Sequence, residues 1–418
     1  MNKFWQKDII AQIHVELSNF CNAACPMCPR YFNGTEIVRP DLELTQVTFD
    51  LFEAWFPKTI IEKVNQWVFC GTVGDPMMAK DVVTICEYIY SINPKTYITF
   101  NTNGGIRAEK DWTRLGELSK NHDKRLRIIF SIDGLEDTNH LYRRNVKWDV
   151  LMRNVKAYIA AGGRADWDFL IFKHNEHQIE EAKKLSEDLG FNNFAPKKAL
   201  GFEVEGGLFK FAAMDKQGEF QYWLEPPVNI ENRNYGTEVE AKDRMHKINE
   251  SVIKMYKTTI LDPHYEVVNN YDGKTFKGRD VDFSSSNCKH IKCKSETWGG
   301  LREIFVNAEG HVSPCCYVGT QLGTTFTMPD VVQLQKKVQD YGKDLFDLKK
   351  HSLLEILDKD HLNHLYADSW DKTDNDKMMY CSNMCGEDSP IDKIWSHDLN
   401  TRPNKTNWRR LQDKDGDN

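Results

Sequence analysis

Residues 11–28 read A-Q-I-H-V-E-L-S-N-F-C-N-A-A-C-P-M-C: an apolar stretch that predicts a strand over Ala11–Leu17, then three cysteines, Cys21, Cys25 and Cys28. Three thiolates within eight residues wrap one face of an iron–sulfur cube. Such clusters are ordinarily held by four thiolates. Three therefore leave one iron open, and an open coordination site is what reactivity needs. The plainer alternatives are a structural zinc site or a metal-free loop. Zinc prefers paired Cys-x2-Cys units, four ligands and tetrahedral closure, and a lone triplet supplies too few.

Outward from that stretch, short apolar strands alternate with amphipathic helices. The pattern predicts further strands at Trp67–Gly71, Tyr97–Asn101, Arg127–Ile132, Trp167–Phe172 and Asn193–Pro196. Helices are predicted at Thr48–Trp55, Lys80–Ser91, Lys110–Ser119, Trp148–Ala161 and His177–Leu189. In the last of these, Ile179, Ala182, Leu185 and Leu189 form one stripe, with Glu180, Glu181, Lys183 and Lys184 facing away. Gly162–Gly163 and Gly190 supply C-cap signals. Repeated strand–helix units imply a parallel sheet, with ligands at the C-terminal ends of its strands.

The Cys21-x3-Cys25-x2-Cys28 spacing resembles the signature of the radical S-adenosylmethionine superfamily, and three later segments extend the resemblance. Phe69–Met78, FCGTVGDPMM, is similar to the family's Gly-Gly-Glu-Pro segment. Gly74, Asp75 and Pro76 match, Asp75 standing for the usual Glu, while Val73 departs from the pattern. Asn101–Gly105, NTNGG, resembles the family's Thr-Asn-Gly turn and contains Asn103. Ser131–Gly134, SIDG, is followed by His140 and Tyr142-Arg143, as in peptide-modifying branches. The resemblance implies a [4Fe-4S] cluster on Cys21, Cys25 and Cys28 whose open iron takes the methionine moiety of S-adenosyl-L-methionine. It implies that the Gly74–Pro76 backbone meets the methionine amino group, that Ser131 and Asp133 lie near ribose and substrate, and that Met27 lies against adenine. Arg143 would pair with the methionine carboxylate, a role suited to a planar, two-pronged donor, with Arg144 as its alternative.

A second cysteine pattern begins at Cys288. Arg302–Val306, Asn307–Gly310 and His311–Ser313 predict a β-hairpin ending at Cys315 and Cys316, a helix is expected at Ser352–Leu357, and Cys381-x3-Cys385 closes the pattern. This resembles the SPASM or twitch extension that holds auxiliary iron–sulfur clusters. The resemblance implies one auxiliary [4Fe-4S] cluster on Cys293, Cys315, Cys381 and Cys385. Cys288 is the alternative to Cys293, and Cys315 is favoured over Cys316 because it follows the proline directly. A structural zinc site uses the same four-thiolate set.

The expected fold is α/β: a partial (β/α)6 TIM-like barrel over residues 1–200 and a small cysteine-rich α+β domain over 288–397. Residues 201–287 read as an insertion or connection, with a helix near Arg244–Tyr256, and 398–418 as a polar, poorly ordered tail. Lys197–Lys198, at the end of the sixth predicted strand, read as a solvated edge, with facing the active site as the alternative. The net charge of -7 argues against nucleic acid as substrate, and no apolar run reaches membrane-spanning length. Without an N-terminal signal segment, and with nine of its 11 cysteines in two clusters, a cytoplasmic protein with reduced thiols is expected. The resemblance implies an oxidoreductase or modifying enzyme. Its substrate would be a peptide or a small molecule, and its external electron donor flavodoxin or ferredoxin. The competing reading is a non-catalytic iron–sulfur electron carrier or a zinc-stabilised binding module.

Overall fold

Burial alternates along the strands and assigns their faces. In β1 (Ile10–Val15), Ile13 and Val15 are fully buried on one side, and with Leu17 beyond the strand they pack outward under helices. Gln12, His14 and Glu16 turn the other way. The same phase recurs in β2 (Gln66–Cys70), where Trp67 and Phe69 are buried, in β3 (Tyr97–Thr102), with Ile98 and Phe100, and in β4 (Leu126–Ser131), with Ile128 and Phe130. β5 (Arg164–Ile171) and β6 (Asn193–Lys198) continue the sheet. A computed structural model provides this description for residues 4–233, 242–244, 291–322, 329–372 and 376–386, apart from 33, 40–41, 205–206, 294 and 297–300.

Strands β1 to β6 lie in chain order and pair in parallel, each crossover covering the outer face. The helices of the crossovers are α1 (Phe49–Trp55), α2 (Lys58–Ile61), α3 (Val82–Ile92), α4 (Glu109–Asn121), α5 (Asn139–Tyr142), a single turn beside the cysteine loop, α6 (Trp148–Ala160) and α7 (Ile179–Leu189). Their ends follow the sequence signals. Thr48 caps α1 through its side chain, and Gly190 ends α7 in the left-handed conformation. An aromatic layer of Phe52, Phe56, Trp67, Phe69 and Phe100 fills the space between α1 and the sheet. The expected open (β/α)6 barrel is thus the observed one.

The C-terminal region extends this sheet. β11 (Arg302–Val306) pairs in parallel with the free edge of β1, and β12 (Val312–Ser313) follows it antiparallel, giving eight strands. The remaining C-terminal elements are helical: α8 (Cys316–Gln321), α9 (Pro329–Tyr341), α10 (Leu353–Asp358), α11 (His361–Leu365) and α12 (Met379–Cys385). α10 begins with a full Ser352/Glu355 capping box.

The insertion holds structure that its composition did not announce. β8 (Gly207–Met214) pairs antiparallel with β7 (Glu203–Val204) and β9 (Phe220–Leu224), and parallel with β10 (Lys242–Arg244). Arg244 therefore ends a strand; residues 245–256, the rest of the expected helix, lie outside the described residues, as do Cys288 and the tail. Among the described residues, no helix is long and apolar enough to cross a membrane.

Candidate active site

The chain leaves β1 at the C-terminal end of the sheet and turns at once into the cysteine loop. Cys28 donates its N–H to the Cys25 carbonyl at 3.0 Å, Tyr31 donates to Cys28 at 3.1 Å, and Ala24 donates to the Arg144 carbonyl at 2.9 Å. The three thiols share one site. Burial pushes each of them upward, and the thiols of Cys21 and Cys28 are pushed further by Cys25. Burial takes the Cys28 thiol up to about 12. Such thiols stay protonated until a positive centre binds them, as a metal cluster does.

Asp75 ties this loop to the neighbouring strands. It is 4% exposed, and its backbone N–H reaches Phe20 at 2.8 Å. Its carboxylate accepts from the Met77 N–H, the Thr102 hydroxyl and both the backbone and side-chain N–H of Asn103, all within 3.0 Å. Asn103 in turn donates to Asn22 at 2.9 Å and points its amide at the Cys21 sulfur, 3.8 Å away. Gly104 follows at φ +69°, and Asn22 reaches the Gly105 carbonyl at 3.2 Å. The NTNGG turn and the GDP segment are thus one hydrogen-bonded unit with the cysteine loop. The Asp75 side chain acts as its clasp.

Asp133 and Arg143 form the opposite wall. Asp133 is fully buried. One oxygen accepts the Leu170 N–H at 2.6 Å and the other accepts Nε of Arg143 at 2.6 Å. Nη1 of Arg143 lies 3.7 Å from the Cys25 sulfur. The carboxylate therefore aims the guanidinium across the cysteine loop and holds it charged. With both oxygens engaged, Asp133 positions Arg143. Arg144 is drawn elsewhere, to Glu36 and to the Met214 carbonyl at 2.6 Å, which binds β8 to the cysteine loop. Gly34 makes that closeness possible: it sits at φ +82°, and any Cβ there would run into the Ala212 carbonyl oxygen. Met27 lies against Gly201, at the start of the same insertion. Ser131 ends β4 beside Asp168 of β5.

Two further groups, on the side of the Asp75 segment, escaped the sequence reading. Glu16 is 4% exposed and accepts the N–H groups of Thr72 and Val73 at 2.7 and 3.0 Å, together with the Thr72 hydroxyl. Arg30, also buried, donates to the carbonyls of Asn19 and Val73. Together they fix the loop in which Val73 departs from the family pattern. Their only sequence signal was charge within an apolar stretch. Inside the sheet, Lys197 pairs with Asp168 at 2.5 Å, so this lysine faces inward, whereas Lys198 reaches the Arg233 carbonyl.

The second set of thiols is assembled from separate segments. Cys293, Cys315, Cys381 and Cys385 line a single pocket with Trp5, Ile291, Pro314, Tyr317, Val318 and Trp370 among its walls. Cys381 and Cys385 lie on α12, where a spacing of four puts both on one face. That helix sets the x3 interval between them. Lys292 donates its N–H to the Cys385 carbonyl at 3.0 Å, joining the first segment to the last. Cys316 is absent from the pocket lining and is influenced instead by Glu303 and Cys70. Buried and half-buried donors made of thiols alone suit iron–sulfur clusters in both places. Among the described residues, no three His, Cys, Asp or Glu side chains gather tightly enough for a single metal ion.

The family model described as the radical SAM superfamily matches residues 15–186, and that of an iron–sulfur cluster-binding domain, SPASM, matches residues 293–386. No curated protein matches the chain. Among solved structures, Streptococcus suis SuiB is 14% identical with a TM-score of 0.43, covering 77% of this chain and 63% of its own. Native anSMEcpe with bound AdoMet and the Cp18Cys peptide is 12% identical with a TM-score of 0.46, covering 87% and 84%. The chain thus spans somewhat less than two thirds of SuiB.

Proposed function

The chain belongs to the radical S-adenosylmethionine superfamily and carries a SPASM domain, so a [4Fe-4S] cluster, S-adenosylmethionine and auxiliary iron–sulfur binding come with it; from this premise we propose that it abstracts hydrogen from a peptide or small-molecule substrate held inside the barrel. Cys21, Cys25 and Cys28 hold the reactive cluster, and Cys293, Cys315, Cys381 and Cys385 hold one auxiliary cluster. The observation that carries the reading is the three-thiol loop facing the Arg143 guanidinium, which Asp133 holds in place.

Bound there, cluster and S-adenosylmethionine supply one-electron cleavage of the sulfonium to a 5′-deoxyadenosyl radical. The chain's own residues bind and orient. Arg143 meets the methionine carboxylate, and the Gly74–Pro76 backbone, clasped by Asp75, meets the amino group. Met27 and the insertion strands cover the site and keep water from it. The interior wall, with Ser131, Asp168 and Lys197, faces the substrate. The auxiliary thiols, set in an apolar pocket, would hold a cluster that could accept an electron from the product radical or anchor the substrate, with flavodoxin or ferredoxin as external donor to the reactive site.

The test is Cys21→Ala, Cys25→Ala and Cys28→Ala together. Dithionite-dependent formation of 5′-deoxyadenosine should vanish, with iron and visible absorption remaining from the second set of thiols. Undiminished cleavage would refute the assignment. Metal content decides against the rivals: about eight irons per chain support two four-iron clusters, whereas colourless protein with zinc supports a binding module.

A further inference from the structure

Trp370 forms part of the wall of the four-cysteine pocket. Its indole Nε1 is buried and meets no hydrogen-bond acceptor of acceptable geometry. A buried donor without a partner is uncommon and calls for a specific explanation, an absent ion or cofactor among them. The ring is not free to turn away. Phe4 and Trp5 pack edge-on against it, with centroids 4.9 and 5.6 Å distant, and its backbone N–H is fixed on the Ala367 carbonyl at 3.0 Å. Burial pushes the Cys381 thiol well up, and the indole N–H is directed toward that thiol. The second indole of the pocket differs: Nε1 of Trp5 donates to the Glu303 carbonyl at 3.1 Å. One tryptophan is satisfied by protein, and the other points its donor at the thiols.

We propose that Trp370 is a positioning residue for the auxiliary cluster, its indole N–H donating to a cluster sulfur and raising the reduction potential. This rests on the assignment of an iron–sulfur cluster to the four thiols. A hydrogen bond to a cluster sulfur favours the more negative, reduced state and so moves the potential upward. The electron acceptor of a substrate radical gains from such a shift.

The experiment uses full-length protein reconstituted with iron and sulfide, carrying Cys21→Ala, Cys25→Ala and Cys28→Ala so that only the second site contributes. The midpoint potential is measured with Trp370→Phe and with Trp5→Phe as the packing control. Trp370→Phe should keep the parent's iron content and shift the potential to more negative values, while Trp5→Phe leaves it in place. Indole ¹⁵N labelling should show a hyperfine coupling to the reduced cluster that disappears in Trp370→Phe. An unchanged potential in an iron-loaded Trp370→Phe protein overturns the proposal, as does an equal shift in Trp5→Phe. If Trp370→Phe fails to hold the cluster, the ¹⁵N coupling in the parent decides, and its absence overturns the proposal. Zinc in place of iron in the parent overturns the cluster assignment and the proposal with it, a failure that metal analysis tells apart from the others.

Discussion

The two cysteine sites are built on opposite plans. The first draws its three thiols from Cys21–Cys28 and surrounds them with charge and hydrogen bonds: Arg143, Asp133, Asp75 and Asn103. The second gathers four thiols from three stretches of chain and surrounds them with Trp5, Tyr317 and Trp370. A local triplet leaves one side open and aims charged groups at it, as a site for an ionic ligand must. A distributed quartet closes on its occupant and joins distant segments, so occupancy there is linked to folding of the surrounding chain.

The strongest way to break the contrast is to remove ligands. Cys315→Ser should release the second site's iron, about four atoms per chain, while Cys316→Ser keeps it; iron analysis reads the difference. Cys381→Ala with Cys385→Ala should give soluble protein that still forms 5′-deoxyadenosine and fails to finish an oxidised product. Insoluble protein would instead show that the quartet acts chiefly as a structural anchor. At the first site, Arg143→Ala should weaken S-adenosylmethionine binding by about 2–4 kcal/mol, with Arg143→Lys restoring only part of it. An unchanged dissociation constant by calorimetry would remove Arg143 from the ligand.

Glu303 lies on β11 beside Gln12 of β1 and is hydrogen-bonded to it. Burial lifts its carboxyl from 4.5 to about 7. The folded chain thus keeps the proton where the unfolded chain has lost it. The stability this confers is full below about pH 4.5 and fades as pH rises through 7. Glu303→Gln should therefore be more stable than the parent at pH 8, by roughly 1–3 kcal/mol, and equal to it at pH 4.5. Parallel denaturation curves at both pH values would remove Glu303 as the cause. The smallest effect is expected at Gly34, where Ala must accept a positive φ and push back Ala212. A loss of about 1–2 kcal/mol is expected, with the protease sensitivity of residues 207–224 rising first.

Much of this was legible in the sequence because it is local. Six strands and their helices follow from periodicity, and the hairpin at Asn307–Gly310 from its turn residues. The cysteine loop and its three partner segments were legible from their order at strand ends. What escaped depends on contacts distant in sequence. Nothing in Arg302–Val306 declares that it will pair with Ile10–Val15. Glu16 and Arg30 look like surface charges until the loops they hold are folded around them. The position of Asp133 was legible, but its work of aiming Arg143 depends on the Leu170 N–H across the β4–β5 crossover. The helix Pro329–Tyr341 passed unnoticed because its apolar residues Val331, Leu334 and Val338 are few among polar neighbours.

The pairing of β11 with β1 also imposes an order of events on synthesis. The strand that carries the three-cysteine loop leaves the ribosome well before residues 302–306, so one of its edges stays unpaired until residue 306 has followed. At about 5–20 residues per second that interval is roughly 15–60 s. Throughout it the nascent chain presents an open strand edge of the kind that invites wrong partners. The same hairpin leads into Cys315, so completing the edge of the first site and delivering a ligand to the second are one step of assembly. An assembly factor serving either site would meet a finished surface only once residues 302–315 have followed.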